Sequence, residues 1–161
     1  MYQIYPVAIK PKVYLAGPIR GAEDYIWRKA FCKSYSQRMD FLIPSDIITK
    51  DFDKLRKFGS AAYMTYRTDL DLIERCDLVV MNLLAHEEGY PARGSLFELG
   101  YARAKNKLVI MVAGPETTKH PFIAFGADGV YSSIVDMQLF LDKYLDVLNG
   151  RCQFFEEGSK W

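Results

Sequence analysis

Two short apolar runs, residues 77–84 and 108–112, constrain the fold of this chain more than any other feature. Both contain β-branched residues and lack the strict alternation of a half-exposed strand, which is typical of strands buried on both faces of a parallel sheet. Parallel strands need a long connection between them, usually a helix. The two runs therefore predict an α/β protein in which helices cover both faces of one sheet.

The rest of the chain alternates between strand and helix patterns in the same way. The other predicted elements are a strand at 13–16, a helix at 22–38, a strand at 41–43, a helix at 61–75, a helix that contains Glu98, a strand at 129–132 and a helix at 134–148. Residues 47–59 and 85–93 are predicted to be loops, the first covering a ligand site. This order predicts one flavodoxin-like (Rossmann-like) domain over residues 1–161, with about five parallel strands flanked by helices and joined by right-handed crossovers.

Composition narrows the class of protein further. A chain of 161 residues with 50% hydrophobic content can bury one substantial core and is short for two domains. The net charge of +1 gives no overall field for nucleic acid or an anionic membrane, so a small-molecule ligand is expected. No apolar run approaches the ~20 residues that cross a bilayer. The absence of C-x-x-C spacing and of an apolar core in the first ten residues favours a cytoplasmic location.

No metal or cofactor is expected. His86 and His120 have no ligand spacing with each other or with a cysteine, which argues against zinc. The turn at residues 17–21 reads G-P-I-R-G, without the spacing of a dinucleotide or Walker loop. Its amides can cradle an anion, although an ordinary strand-to-helix turn uses glycine in the same way.

A carboxylate stands out in the segment 94–102, which reads G-S-L-F-E-L-G-Y-A and follows a buried strand and a glycine-containing loop. Ligands of open α/β sheets bind beyond the carboxyl ends of the strands, so Glu98 falls in the right region for chemistry. It is expected in the first turn of a helix, where the backbone amides favour its ionised form. Ser95 and Glu98 also fit a capping box that only starts a helix, and these residues alone do not separate the two interpretations.

Three segments in this order, residues 14–21, 65–77 and 94–102, resemble the nucleoside 2-deoxyribosyltransferase family and its nucleotide N-glycosidase relatives. The resemblance extends from Lys12 to about Val112. It implies that Glu98 attacks the anomeric carbon of a deoxyribose and holds the sugar as a covalent glycosyl-enzyme. It also implies that Asp69 serves in acid–base catalysis or binds a sugar hydroxyl, and that Tyr14, at the end of the first strand, orients the nucleophile.

The resemblance further implies a substrate-binding set and a homo-oligomer whose sites are completed across subunits. The implied substrate-binding residues are Gly17, Ile19, Arg20, Gly21, Asp46, Arg93, Gly94 and Ser95. The implied partners are a deoxynucleoside or deoxynucleotide and a nucleobase, with no nucleic acid polymer and no membrane.

Two positions depart from the family pattern. Ala92 stands where the transferases place an aspartate for the sugar 5′-hydroxyl, and the segment 120–123 lacks the asparagine that a neighbouring subunit contributes. The leading expectation is transfer of deoxyribose from one nucleobase to another. The alternatives are a deoxynucleoside 5′-monophosphate N-glycosidase that binds phosphate through Arg20, Arg93 and Ser95, and a catalytically silent nucleotide-binding module. An Arg93 that faces solvent, as expected for a loop arginine, favours nucleosides.

Overall fold

A five-stranded parallel sheet forms the centre of the computed structural model, which describes residues 8–18, 23–43, 59–87 and 92–150. The strands are β1 (Lys12–Ala16), β2 (Asp40–Leu42), β3 (Leu78–Asn82), β4 (Leu108–Val112) and β5 (Gly129–Tyr131). Their order across the sheet is β2-β1-β3-β4-β5, and every neighbouring pair is parallel. The predicted flavodoxin-like α/β fold is confirmed.

Helices connect the strands and cover both faces of the sheet. In the described residues they are α1 (Glu23–Tyr35), α2 (Gly59–Arg75), α3 (Leu84–Glu87), α4 (Arg93–Ala104), α5 (Pro115–Thr118), α6 (Pro121–Ala124) and α7 (Ile134–Leu148). Helix α7 starts with a capped turn, because the side chain of Ser133 accepts a hydrogen bond from the amide of Asp136. Among the residues that the structure describes, no helix is long and apolar enough to cross a membrane.

Burial on both faces explains why the central strands read as continuous apolar runs. One face of the sheet packs against α2 and α4, and the other packs against α1 and α7. Along β4, Val109 and Met111 belong to the first core while Ile110 and Val112 belong to the second, as the two-residue period of a strand requires. Both faces of the central strands are therefore covered.

The strand order reverses between β1 and β3, at the centre of the sheet. From β1 the chain moves outward to β2, then returns to β3 and continues to β4 and β5 in the other direction. The register pairs Ala16 with Met81, so the two strands end side by side. In open α/β sheets this reversal leaves a crevice where ligands bind.

Several boundaries differ from the predictions. The predicted loop at 85–93 overlaps the short helix α3 and includes the first residue of α4. Helices α5 and α6 were not predicted, although each begins with a proline. Proline suits the first turn of a helix, because the backbone N–H that it lacks would have no helical acceptor there. The predicted ligand-covering loop at 47–59 lies outside the described residues except for Gly59, which begins α2.

Candidate active site

The side chain of Glu98 is hydrogen-bonded to strand β1. Tyr14 is the third of the five residues of β1 and faces α2 and α4, where its ring is almost fully buried. Its hydroxyl donates a hydrogen bond of 2.8 Å to Oε1 of Glu98. The contact joins a rigid strand to a helix, although Tyr14 stands in the middle of the strand rather than at its end as expected.

The start of α4 does not use Glu98 as a cap. Ala92 is the N-cap residue and makes no side-chain cap hydrogen bond, while Ser95 lies inside the helix and is buried. Glu98 is the sixth residue of α4, beyond its first turn. The capping-box interpretation and the predicted first-turn position are therefore both wrong, and the carboxylate is available to the site.

The charge on Glu98 is disfavoured in this environment. Burial raises the pKa of Glu98 to about 7, against the opposing effect of the Tyr14 hydrogen bond; the nearby charge of Asp69 raises it further and that of Arg28 lowers it. Desolvation thus outweighs the hydrogen bond from Tyr14 and the charge of Arg28. The expectation that the helix start favours an ionised Glu98 is wrong in its net direction.

Asp69 lies on α2 within electrostatic reach of the same pair. Its charge raises the pKa of both Tyr14 and Glu98, and burial raises the pKa of Asp69 itself to about 6. Its Oδ1 atom is buried and has no hydrogen-bond partner among the residues that the structure describes. Burying a polar atom in this way is costly unless something binds to it, so this oxygen is suited to a ligand hydroxyl or amine.

Arg28 was missed by the sequence analysis and belongs to the same region. It is buried in α1, and its Nη2 and Nη1 atoms donate hydrogen bonds to the carbonyl oxygens of Gly17 (2.7 Å) and Asp24 (2.8 Å). Its position could have been found from the helical spacing, because Arg28 precedes the buried Phe31 and Tyr35 by three and seven residues. It therefore lies on the inward face of the helix.

Gly17 is required by the geometry at the end of β1. Its φ is +151°, and a Cβ atom at this position would lie 2.7 Å from the carbonyl oxygen of Asn82 at the end of β3. The two backbones therefore approach too closely for any side chain. Ile19, Arg20 and Gly21 of the same turn lie outside the described residues, as does Asp46.

The three candidate residues at the start of α4 have different environments. Arg93 and Gly94 are exposed, whereas Ser95 is buried. Ala92, which replaces the acidic residue of the family pattern, is also buried. The expected exposure of Arg93 is confirmed, and Ser95 is the polar side chain of this turn that faces inward.

A groove lies between α4 and the segment that contains α5 and α6. The segment 120–123 lines this groove of about 1130 Å³ together with Leu99, Gly100 and other residues of α4 and α5. Glu98, Asp69 and Tyr14 do not line it. No cluster of His, Cys, Asp and Glu within the described ranges has an arrangement that could hold a metal ion.

A parallel sheet with a strand-order reversal and two partly buried carboxyl groups near strand β1 defines an α/β protein with a candidate acid–base site. The chain belongs to the nucleoside 2-deoxyribosyltransferase family, whose sequence profile matches residues 13–137. A comparison with curated protein sequences finds no match to the chain.

Solved structures share the fold at low sequence identity. A 2-deoxyribosyltransferase from Bacillus psychrosaccharolyticus is 16% identical, with a TM-score of 0.62 over 83% of this chain and 95% of that one. A 2-deoxyribosyltransferase from Leishmania mexicana is 19% identical, with a TM-score of 0.54 over 83% and 98%. A CMP N-glycosidase from Clostridium botulinum is 16% identical, with a TM-score of 0.51 over 83% and 97%. The family supports a glycosyl transferase or N-glycosidase. At such low sequence identities, the solved structures establish only a shared fold.

Proposed function

We propose that this protein cleaves the N-glycosidic bond of 2′-deoxynucleosides, with Glu98 as the nucleophile, and transfers the deoxyribose to another nucleobase. The observation that carries the proposal is the hydrogen bond of 2.8 Å from the buried Tyr14 hydroxyl to Oε1 of Glu98. A carboxylate held in this way has a fixed orientation toward a reacting carbon. A second carboxyl group, Asp69, stands within electrostatic reach and has a buried oxygen that accepts no hydrogen bond from the described residues.

The chemistry needs both carboxyl groups. As the bond from C1′ to the base nitrogen breaks, positive charge develops on the sugar and a carboxylate oxygen of Glu98 forms a bond to C1′. The leaving base takes a proton from Asp69, directly or by relay. In the second half-reaction the nitrogen of the acceptor base attacks C1′, the bond to Glu98 breaks and the proton returns to Asp69. General acid help of this kind is typically worth about 10²–10⁴-fold in rate.

The two carboxyl groups can together hold the one proton and the one negative charge that the reaction needs. The pKa values of Glu98 and Asp69 are both raised, to about 7 and about 6, and the charge on Asp69 raises the pKa of Glu98. Two coupled carboxyl groups of this kind lose their protons in two steps that belong to the pair. Between the two steps the pair holds one proton and one negative charge. The higher pKa of Glu98 places that proton mainly on Glu98, so the reaction uses the minor form in which Asp69 is protonated and Glu98 is ionised.

The first test is a panel of deoxynucleosides incubated with and without an acceptor base. The wild type should release base and form the exchanged nucleoside, whereas Glu98→Ala should nearly abolish both reactions. Glu74→Gln is a matched control, because Glu74 is an exposed glutamate on α2 that pairs with Lys105. Mass spectrometry with a slow 2-fluoro substrate should detect a sugar adduct on Glu98. Near-normal turnover by Glu98→Ala, or saturable binding without base release by the wild type, would contradict the proposal.

Hydrolysis of a deoxynucleoside 5′-monophosphate is the second candidate. It is favoured by the buried Ala92, which supplies no carboxylate for a sugar 5′-hydroxyl, and by the inward-facing hydroxyl of Ser95. Charge-assisted hydrogen bonds to a phosphate are worth about 1.5–3 kcal/mol each, so a phosphate pocket would show as a strong monophosphate preference.

Measurements of kcat/KM for deoxycytidine, deoxyadenosine and their monophosphates, in the wild type and in Arg93→Ala, distinguish the two candidates. Because Arg93 is exposed, we expect nucleosides to react at least as well as monophosphates and Arg93→Ala to change both little. A monophosphate preference that collapses in Arg93→Ala would favour the hydrolase. Homo-oligomer assembly, a single domain over the whole chain and a cytoplasmic location stay predictions from the sequence.

A further inference from the structure

Arg28 is a buried cation that the proposed chemistry leaves without a role. Only 4% of the residue is exposed, and its guanidinium carbon lies 4.9 Å from the centre of the Trp27 ring. One arm of the guanidinium binds the carbonyl of Gly17 after β1, and the other binds the carbonyl of Asp24 one turn earlier in α1. The side chain therefore ties the end of β1 to α1, the helix that follows it.

The charges around Glu98 come from three elements. Tyr14 of β1 donates a hydrogen bond to it, Asp69 of α2 presents a negative charge, and Arg28 of α1 presents a positive charge. Among the described residues, Arg28 is the cation whose charge acts on Glu98. The charge of Glu98 is in turn the strongest of those that act on Arg28, ahead of Tyr14, Tyr25 and Asp24.

We propose that Arg28 is a positioning residue for Glu98: its guanidinium fixes the backbone at the end of β1, the strand whose Tyr14 binds Glu98, and its positive charge acts on that carboxyl group. The role rests on the proposed function of Glu98 as nucleophile. Arginine suits it better than lysine, because a planar fork can bind two carbonyl groups and keeps its charge when buried. Although burial lowers the pKa of Arg28, an arginine starts from so high a value that it remains a cation at neutral pH.

The decisive measurement is the titration of Glu98 itself, followed by NMR of side-chain carboxyl carbons in glutamate labelled with ¹³C. Glu98→Gln identifies the resonance. Arg28→Gln removes the charge and should raise the pKa of Glu98 by about one pH unit, as expected for the loss of a nearby opposite charge. Arg28→Lys keeps the charge and should leave that pKa near the wild-type value. Arg38→Gln is the control, because Arg38 pairs with Asp142 and Asp146 instead.

Kinetics provide a second readout. At a pH below the acidic limb of the profile, kcat/KM of Arg28→Gln should fall about tenfold for each unit by which the pKa of Glu98 rises. In Arg28→Lys the limb should stay in place while kcat falls, because an ammonium group cannot reproduce the fork that holds the Gly17 and Asp24 carbonyl groups.

An unchanged titration of Glu98 in Arg28→Gln would overturn the proposal, and so would an equal rise in Arg28→Lys. Circular dichroism checks that each variant is folded. If Arg28→Gln does not fold, Arg28→Lys still decides, since a displaced Glu98 titration in that variant contradicts a role for the charge. The titration needs no substrate, so a wild type that releases no base would refute the proposed function and leave this test intact.

Discussion

The Tyr14 hydroxyl acts on the site from a ring that is held in place by packing on all sides. Tyr14→Phe should keep that packing but lose the hydrogen bond to Glu98, which lowers the pKa of the carboxyl group. We expect the acidic limb of the pH profile to move upward and kcat to fall about 10- to 100-fold, the equivalent of a charge-assisted hydrogen bond of about 1.5–3 kcal/mol. Steady-state kinetics across pH measures both effects.

Tyr35→Phe is the matched control for this variant. Tyr35 is also buried and its hydroxyl donates to the carbonyl oxygen of Gln138 at 3.2 Å, far from the acidic pair. Its replacement should lower the melting temperature by a similar amount without changing kcat. If both variants lose stability and neither loses rate, the bond from Tyr14 has only a structural role.

Asp69 should control the alkaline side of the pH profile. If Glu98 reacts as the anion and Asp69 gives a proton, kcat/KM of the wild type is bell-shaped, with limbs near the two raised pKa values of about 6 and about 7. Asp69→Asn should remove the alkaline limb. The single remaining limb then reports Glu98 without the charge of Asp69, so it should lie below about pH 7.

Rate losses in the Asp69 and Glu98 variants should not multiply. Groups that act as a unit are strongly non-additive, so Asp69→Asn combined with Glu98→Ala should be little slower than Glu98→Ala alone. An alkaline limb that persists in Asp69→Asn, or independent multiplicative losses, would assign Asp69 a separate structural role.

Some residues of the candidate site could be predicted from the sequence and others could not, for different physical reasons. Glu98, Asp69 and Tyr14 were singled out by motif position, and the structure brings them together, while their catalytic roles stay predictions. Arg28 was missed because an arginine in a helix is usually solvated, and only its register with buried neighbours marks it as internal. The raised pKa of Glu98 was missed because burial depends on packing that no local pattern encodes.

At the scale of elements, the strands were predictable because burial on both faces leaves a local pattern. The observed strand β4 spans the predicted residues 108–112, and β3 lies within the predicted run 77–84. Helix ends were less predictable, because they depend on backbone hydrogen bonds rather than on periodicity. The start of α4 is an example: Ser95 and Glu98 match a capping box, yet the helix begins two residues before Ser95 and has no side-chain cap.

The end of β1 offers an element-scale prediction. Gly17→Ala would place a Cβ atom 2.7 Å from the carbonyl oxygen of Asn82, at a φ of +151° that side chains rarely adopt. We expect a loss of stability of about 1–3 kcal/mol from strain, together with a slower reaction because Arg28 binds the Gly17 carbonyl. Urea denaturation and kcat measure the two effects.

Gly100→Ala in α4 is the contrasting variant. A Cβ atom there would have no described neighbour within 4 Å outside the helix's own backbone, so the substitution should stabilise the helix by about 0.5–1 kcal/mol. Equal stability changes of the same sign in the two glycine variants would show that the close approach of β1 and β3 does not constrain Gly17.

At the scale of the whole molecule, the fold positions two carboxyl groups where their charge is unfavourable. The core face of the sheet that packs against α2 and α4 contains Tyr14, and the acidic pair lies beside it. Desolvation shifts the carboxyl groups toward their neutral forms, which is a cost to the folded protein at neutral pH. Active sites commonly trade stability for reactivity in this way.

We therefore expect the catalytically inactive variant Glu98→Gln to be more stable than the wild type. The pKa of Glu98 is about 7 in the folded protein and 4.5 for an ordinary glutamate, so the folded state binds the proton more tightly. The stability that protonated Glu98 supports is fully present below pH 4.5 and is lost as the pH rises through about 7. Glu98→Gln keeps the neutral form at every pH, so at pH 8 it should be more stable by on the order of 2–3 kcal/mol.

Thermal denaturation at pH 4 and pH 8 tests this prediction. At pH 8 the melting temperature of Glu98→Gln should exceed that of the wild type by several degrees, at roughly 2–4 °C per kcal/mol for a chain of this size, and at pH 4 the two should nearly coincide. Glu74→Gln is the control, because hydrogen bonds from Lys105 and Tyr101 lower the pKa of Glu74 instead of raising it. Its replacement should therefore bring no gain in melting temperature at pH 8. A Glu98→Gln variant that is no more stable than the wild type at pH 8 would mean that Glu98 reaches water and is not held in a desolvated site.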